Sequence, residues 1–387
     1  MAKIRKSTKK KIIKAAKKHP VVTVVVFLLV VAIVACCVLH YKRVIHIPFL
    51  DAFLPQEERK EDIITDELSI HFLELGVYET GDCTLIKTGN TEVLIDAGAT
   101  RKSAPTIKAY LERYCEDDVL EYVVATHAHE DHIAGFVGDL AADGVGNGVL
   151  YSYQVGTIIQ FAKANTTSNI YNDYLAAVEY AKQEYHTTVY TALECWNEVN
   201  GAKKSFELAE DITLNVLYQK YYETKSSGEN NYSVCTLLSQ GNNHYLFTGD
   251  LEEAGEKSLA DNNDLPKCKL FKAGHHGSKT SSHNDLLLEI QPEIVCVCCC
   301  AGSNEYTPDS PLDRFPTQDF IDRVAVYTDK IYVTTLNTTG REFTSMNGDI
   351  VVHSNGVDVN VTCSNNDTIL KETEWFKKNR TWPENGK

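Results

Sequence analysis

Three imidazoles and two carboxylates fall within the six residues His127-Ala128-His129-Glu130-Asp131-His132, which follow the apolar run Tyr122 to Ala125 and Thr126. An apolar run of this length reads as a buried β-strand. The chain must therefore deliver a dense polar string to a strand end, where it needs an ion or a pocket to receive it. In extended backbone, residues two apart project to the same side, so His127 and His129 can share one ion. Asp131 and His132 open the next helix and can face a second. A pair of divalent ions can bring the pKa of a bridging water toward about 7 and stabilise both the attacking and the leaving oxygen. Metal-assisted hydrolysis is the chemistry this pattern predicts.

Three more segments end in the same way. Tyr245-Leu246-Phe247-Thr248-Gly249-Asp250 is an apolar strand closed by Gly-Asp, which sets a carboxylate where it can bridge two ions. Leu270-Phe271-Lys272-Ala273-Gly274-His275-His276-Gly277-Ser278 runs into paired histidines, with glycines that permit close backbone approach. Val93-Leu94-Ile95-Asp96-Ala97-Gly98 places an Asp where it can accept a hydrogen bond from a ligand histidine.

The set Asp96, His127, His129, Asp131, His132, Asp250 and His275-His276 resembles the metallo-β-lactamase superfamily. Phe72-Leu73-Glu74-Leu75-Gly76 with Gly81-Asp82, then Phe247 to Asp250, Lys272 to Ser278 and Gly302-Ser303-Asn304-Glu305-Tyr306-Thr307-Pro308, are similar to the extracellular hydrolase domain of ComEC-type DNA-internalisation proteins. This similarity runs from about Ser69 to Val352; secreted phosphorylcholine esterases are similar around the paired histidines. The resemblance implies an α/β (α+β) domain of αββα sandwich type with two divalent ions, zinc first and manganese as the alternative. It implies His127 and His129 on one ion, Asp131 and His132 on the other, Asp250 between them, and His275 or His276 completing a shell. Asp131, His275 and His276 are the catalytic candidates. Asp96, Asp82, Asn231, Ser278, Lys279, Asn304 and Tyr306 are expected behind the ligands or against substrate. The chain departs from the pattern where many members carry a further histidine ligand. His186 and His244 are poorly placed for it, and Asn230 or Asn231 is the expected occupant.

The ends of the chain carry different signals. Nine basic residues precede Val21 to Leu39, nineteen residues without a charge, just long enough to span about 30 Å of hydrocarbon. The reading is a basic cytoplasmic segment over 1–20, a transmembrane anchor in the lipid bilayer over 21–39, a stalk over 40–66, the hydrolase domain over 67–363 outside the cell, and a polar tail over 364–387 that frays. A cleaved or Cys36-lipidated start is the alternative. Beyond residue 43 the chain holds 27 basic against 53 acidic residues. Duplex DNA gripped through its phosphates calls for a basic face, so Lys272, Lys279 and the ions are left to hold a single phosphate. Ten cysteines follow the anchor in no zinc-finger spacing, and Cys296 to Cys300 extend an apolar strand as small buried hydrophobes. The last strands, Lys330 to Thr334, Asp349 to His353 and Asp358 to Val361, are expected to close the second sheet.

The function expected is a membrane-anchored phosphodiesterase or nuclease acting on DNA, a wall polymer or another phosphodiester. The alternatives are a phosphocholine esterase, an acyl hydrolase of β-lactamase type, and a non-enzymatic component of DNA uptake or envelope assembly. No multi-span segment follows the anchor, so DNA uptake would require a separate channel partner.

Overall fold

The strand Ile294–Ala301 carries no polar side chain except thiols, and all eight residues are buried. Such a strand is stable only with both faces covered. Its side chains alternate between two cores: Ile294, Cys296 and Cys298 enter one, and Val295, Val297, Cys299 and Ala301 the other. In the computed structural model, which describes residues 68–306 and 310–387, this strand lies inside one of two eight-stranded sheets.

The first sheet is built from β1 (Leu68–Phe72), β2 (Thr84–Thr88), β3 (Thr91–Ile95), β4 (Val119–Ala125), β5 (Gln154–Gln160), β6 (Thr188–Thr191), β15 (Ile350–Ser354) and β16 (Val359–Cys363), in the order β16-β15-β1-β2-β3-β4-β5-β6. The second contains β7 (Ser205–Ala209), β8 (Ile212–Leu217), β9 (Cys235–Gln240), β10 (Asn243–Phe247), β11 (Leu270–Lys272), β12 (Ile294–Ala301), β13 (Ile331–Thr339) and β14 (Glu342–Ser345), in the order β14-β13-β12-β11-β10-β9-β8-β7. Pairing is parallel from β3 to β6 and from β10 to β13 and antiparallel elsewhere.

Neighbouring residues of β1 reveal the layers. Phe72 meets Phe247 of the second sheet at a ring separation of 6.4 Å. His71, on the opposite face, lies 2.8 Å through Nδ1 from the Tyr110 hydroxyl on helix α1 (Ala104–Leu111). The sheets thus pack face to face with helices outside. Helices α2 (Glu130–Val137) and α3 (Asn169–Glu184) add Phe136 and Tyr174 to the first core. Leu287 of helix Asn284–Ile290 and Phe320 of helix Gln318–Val324 cover the far side of β12. This is the αββα arrangement expected from the sequence.

Three expectations are corrected. The last strands were expected to close the second sheet, but β15 and β16 extend the first, with β15 antiparallel to β1. The reason is that the apolar edge of β1 needs a partner. The tail after Cys363 does not fray: it packs Leu370 and Phe376 into the second core, and the Arg380 guanidinium donates to the carbonyls of Pro316 and Arg314. The transmembrane anchor has no counterpart among the described residues, where no helix is long and apolar enough to cross a membrane. The longest, α3, has 16 residues, about 24 Å at the helical rise, and bears Asp173, Glu179, Lys182 and Glu184. Residues 1–20, 21–39 and 40–66 lie outside the described residues. The membrane anchor, its bilayer contact and the extracellular location are accordingly withdrawn. The ten cysteines after the anchor are all buried and unbridged.

Candidate metal centre

Parallel strands end on the same side of a sheet, so the polar strings after β3, β4, β10, β11 and β12 collect along one rim of the sandwich. Helix α2 begins there with His129 as its N-cap, in extended conformation, which turns Asp131 and His132 back toward the strand ends. Asp131, in the first turn, also suits the positive end of the helix dipole. Two glycines make the approach possible. A side chain on Gly98 would begin 1.5 Å from the Asp131 carbonyl oxygen, and one on Gly249, at φ +53, would meet Ser233 and Thr126 within 3.0 Å.

Four donor groups converge. His276 Nε2 lies 3.2 Å from Asp131 Oδ2 and 3.4 Å from Asp250 Oδ2, and His132 Nε2 lies 3.2 Å from the same Asp250 oxygen. A tetrahedral ion with bonds of about 2.1 Å needs ligand atoms about 3.4 Å apart, which these spacings match. Both Asp250 oxygens and His132 Nε2 are buried without a hydrogen-bond partner. A buried carboxylate left in this condition is costly unless a cation meets it, so the residues fit a divalent ion. On the other side of Asp250, His127 Nε2 lies 3.0 Å from His129 Nδ1 and 4.0 Å from Asp250 Oδ2. Asp250 Oδ2 is common to both donor sets.

The atoms behind these groups fix their orientation. Asp96 Oδ2 is 2.7 Å from His132 Nδ1 and accepts a 2.7 Å bond from the Thr126 hydroxyl, which also lies 3.2 Å from His127 Nδ1. His276 Nδ1 donates to the Cys298 carbonyl at 2.9 Å and also lies 3.1 Å from Asp82 Oδ1, leaving Nε2 toward the cluster. The other Asp82 oxygen is ion-paired with buried Lys272. Asp82, Asp96 and His132 also group closely, but both carboxylates are already engaged, so this set stands behind the ligands. Burial opposes protonation of His132 and His276, yet the carboxylates around them together outweigh it and raise both well above the usual histidine range: Asp250, Asp96 and Asp131 at His132, and Asp250, Asp82 and Asp131 at His276. Burial likewise opposes ionisation of Asp250, but His132, His276 and His275 hold its carboxyl well below the ordinary value.

Of the paired histidines, His276 joins the four-residue cluster. His275 Nε2 stands 3.8 Å from Asp250 Oδ2, with Nδ1 held 2.9 Å from the Thr280 hydroxyl and the side chain one-fifth exposed. Tyr306 reaches in, its hydroxyl donating to Asp131 Oδ2 at 2.9 Å. Asn230 and Asn231 both donate through Nδ2 to Glu252, which leaves their buried Oδ1 atoms unpartnered. Ser278 caps its own turn by accepting from the Thr280 amide, and Lys279 pairs with Asp313 at the surface. Asn304 is exposed, and Lys272 is occupied by Asp82. His186 is exposed and His244 lies 2.9 Å from the Ser239 hydroxyl; the structure brings neither of them to the cluster. Thr307 and Pro308 lie outside the described residues. Sequence reasoning missed Thr126, and it missed Ser233, whose hydroxyl accepts from the Asp250 amide at 3.0 Å. The available signal was their place in the polar strings that flank the strands.

Residues 78–142 match the family model of the metallo-beta-lactamase superfamily. The αββα topology and the His/Asp cluster around Asp250 are similar to those of that superfamily and supply a candidate site for divalent metal. Two relatives make the resemblance to ComEC-type proteins specific. The chain is 24% identical to Recombination protein 2 of Haemophilus influenzae over 251 residues, 64% of this chain and 25% of the relative. It is 30% identical to ComE operon protein 3 of Bacillus subtilis over 95 residues, 24% of this chain and 12% of the relative. The chain therefore spans a quarter or less of these relatives. Among solved structures, the metallo-beta-lactamase fold protein YhfI of Bacillus subtilis is similar at 11% identity and a TM-score of 0.40, covering 75% of this chain and 100% of that one. The short form of human tRNase Z is similar at 12% identity and a TM-score of 0.36, covering 72% and 99%.

Proposed function

We propose that this protein hydrolyses phosphodiesters, with nucleic acid as the leading substrate class and two divalent ions, zinc first, as cofactors. The observation that carries the reading is the Asp250 carboxylate, buried, without a hydrogen-bond partner and shared by two donor sets. Asp131, His132, Asp250 and His276 would hold one ion and His127, His129 and Asp250 the other. Bound there, the ions would supply Lewis acidity to a phosphoryl oxygen and lower the pKa of water. The chain itself does the orienting. Asp96 keeps the proton of His132 on Nδ1, the Cys298 carbonyl does the same for His276, and Lys272 balances Asp82. His275 stands at the accessible margin with Nε2 3.8 Å from Asp250 Oδ2, and burial lowers its pKa, so it meets the substrate as a neutral imidazole. The similarity to Recombination protein 2 and ComE operon protein 3 supports DNA among the possible phosphodiesters.

The test is hydrolysis of bis-p-nitrophenyl phosphate by the full chain with zinc or manganese, beside the variant Asp250→Ala/His129→Ala. Metal-dependent turnover in the wild type and none in the variant is expected. A folded, metal-loaded protein that leaves this substrate intact but cleaves nitrocefin would overturn the reading in favour of acyl transfer.

A further inference from the structure

An aromatic row leads from the surface into the cluster. Phe315, nearly buried, lies between the paired histidines and Tyr306, with ring separations of 5.7 Å to His275, 5.9 Å to His276 and 5.8 Å to Tyr306. Tyr306 is 49% exposed. Its hydroxyl is tied to Asp131 Oδ2, so the ring is fixed at both ends, by Phe315 beside it and by a carboxylate of the cluster at its tip. A half-exposed ring held in this way costs little entropy to use, because its orientation is already set. Beyond residue 43 the chain holds 27 basic against 53 acidic residues, a balance that disfavours binding driven by phosphate charge alone, so base contacts are the natural source of selectivity.

We propose that Tyr306, backed by Phe315, is a stacking platform for the base of the nucleotide whose phosphate sits at the Asp131–His132–Asp250–His276 cluster. The inference rests on the phosphodiester reading and names its substrate class as single-stranded nucleic acid or a nucleotide ester, in which an unpaired base is free to stack. A flat heterocycle suits one open ring face. A quaternary ammonium is held by several rings arranged as a cage, and the row presents a single open ring.

Calorimetric titration of the zinc-loaded full chain with adenosine 5′-monophosphate, glycerol 3-phosphate and phosphocholine tests the platform. Stacking on an aromatic side chain should favour the nucleotide over glycerol 3-phosphate by about 5- to 150-fold. Tyr306→Phe should keep that ratio, because the ring remains. Tyr306→Leu, compared with Tyr306→Phe because both lose the hydroxyl contact to Asp131, should bring the ratio to about one through loss of nucleotide affinity. Equal affinities in the wild type, a ratio that survives Tyr306→Leu, or preferred binding of phosphocholine would overturn the platform. If bis-p-nitrophenyl phosphate is still turned over, only the platform falls. If no phosphate binds and no diester is cleaved, the phosphodiester reading falls and takes the platform with it.

Discussion

Asp96→Asn isolates the contribution of the groups behind the metal ligands. Asp96 sits at φ +58, a region that Asn tolerates well among non-glycine residues, so the backbone has no reason to move. The new Oδ1 can still accept from the Thr126 amide, as Asp96 Oδ1 does at 2.8 Å. The new Nδ2 must then stand where Oδ2 now faces His132 Nδ1 at 2.7 Å, so a donor confronts a donor. His132 escapes by moving its proton to Nε2, the atom that faces Asp250, and that tautomer cannot bind an ion through Nε2. Loss of such a hydrogen-bonded partner typically lowers metal affinity about 10- to 100-fold, or about 1.4–2.7 kcal/mol. The substitution also removes a buried charge, so affinity is a cleaner readout than stability. Competition with a chromogenic chelator measures it directly. Zinc affinity within twofold of the wild type would refute the tautomer argument.

Two further predictions concern the frame. Gly98→Ala drives a methyl into the Asp131 carbonyl and should cost about 1–3 kcal/mol or more, with metal loading lost alongside; unchanged urea midpoint and metal content would contradict the close approach. His71 is held neutral, chiefly by burial and further by His353 and Lys87, with its pKa lowered to about 3. Between that value and the ordinary 6.5 the unfolded chain takes up a proton that the folded chain refuses. His71 therefore costs no stability above about pH 6.5, and stability falls as pH drops below it, by up to about 1.4 kcal/mol per unit. Urea unfolding at pH 7, 6 and 5 should show this slope in the wild type and a shallower one in His71→Asn; identical slopes would exclude His71 as its source.

What the sequence determined by itself was local. Ile294 to Ala301 declares a doubly covered strand through its unbroken apolar run, and the His127 to His132 string declares candidate metal ligands at a strand end, because both signals are complete within a few residues. The tertiary structure decided everything that depends on which distant segments meet. His275 and His276 are equivalent as letters, but their left-handed backbone, φ +47 and +54, turns His276 toward Asp131, 145 positions earlier, and leaves His275 at the margin. Lys272, read as a phosphate ligand, is claimed by Asp82 because burial makes an unpaired ammonium too costly. Strands β15 and β16 left the expected sheet for the open edge of β1, since an alternating apolar strand specifies its own faces and not its neighbour.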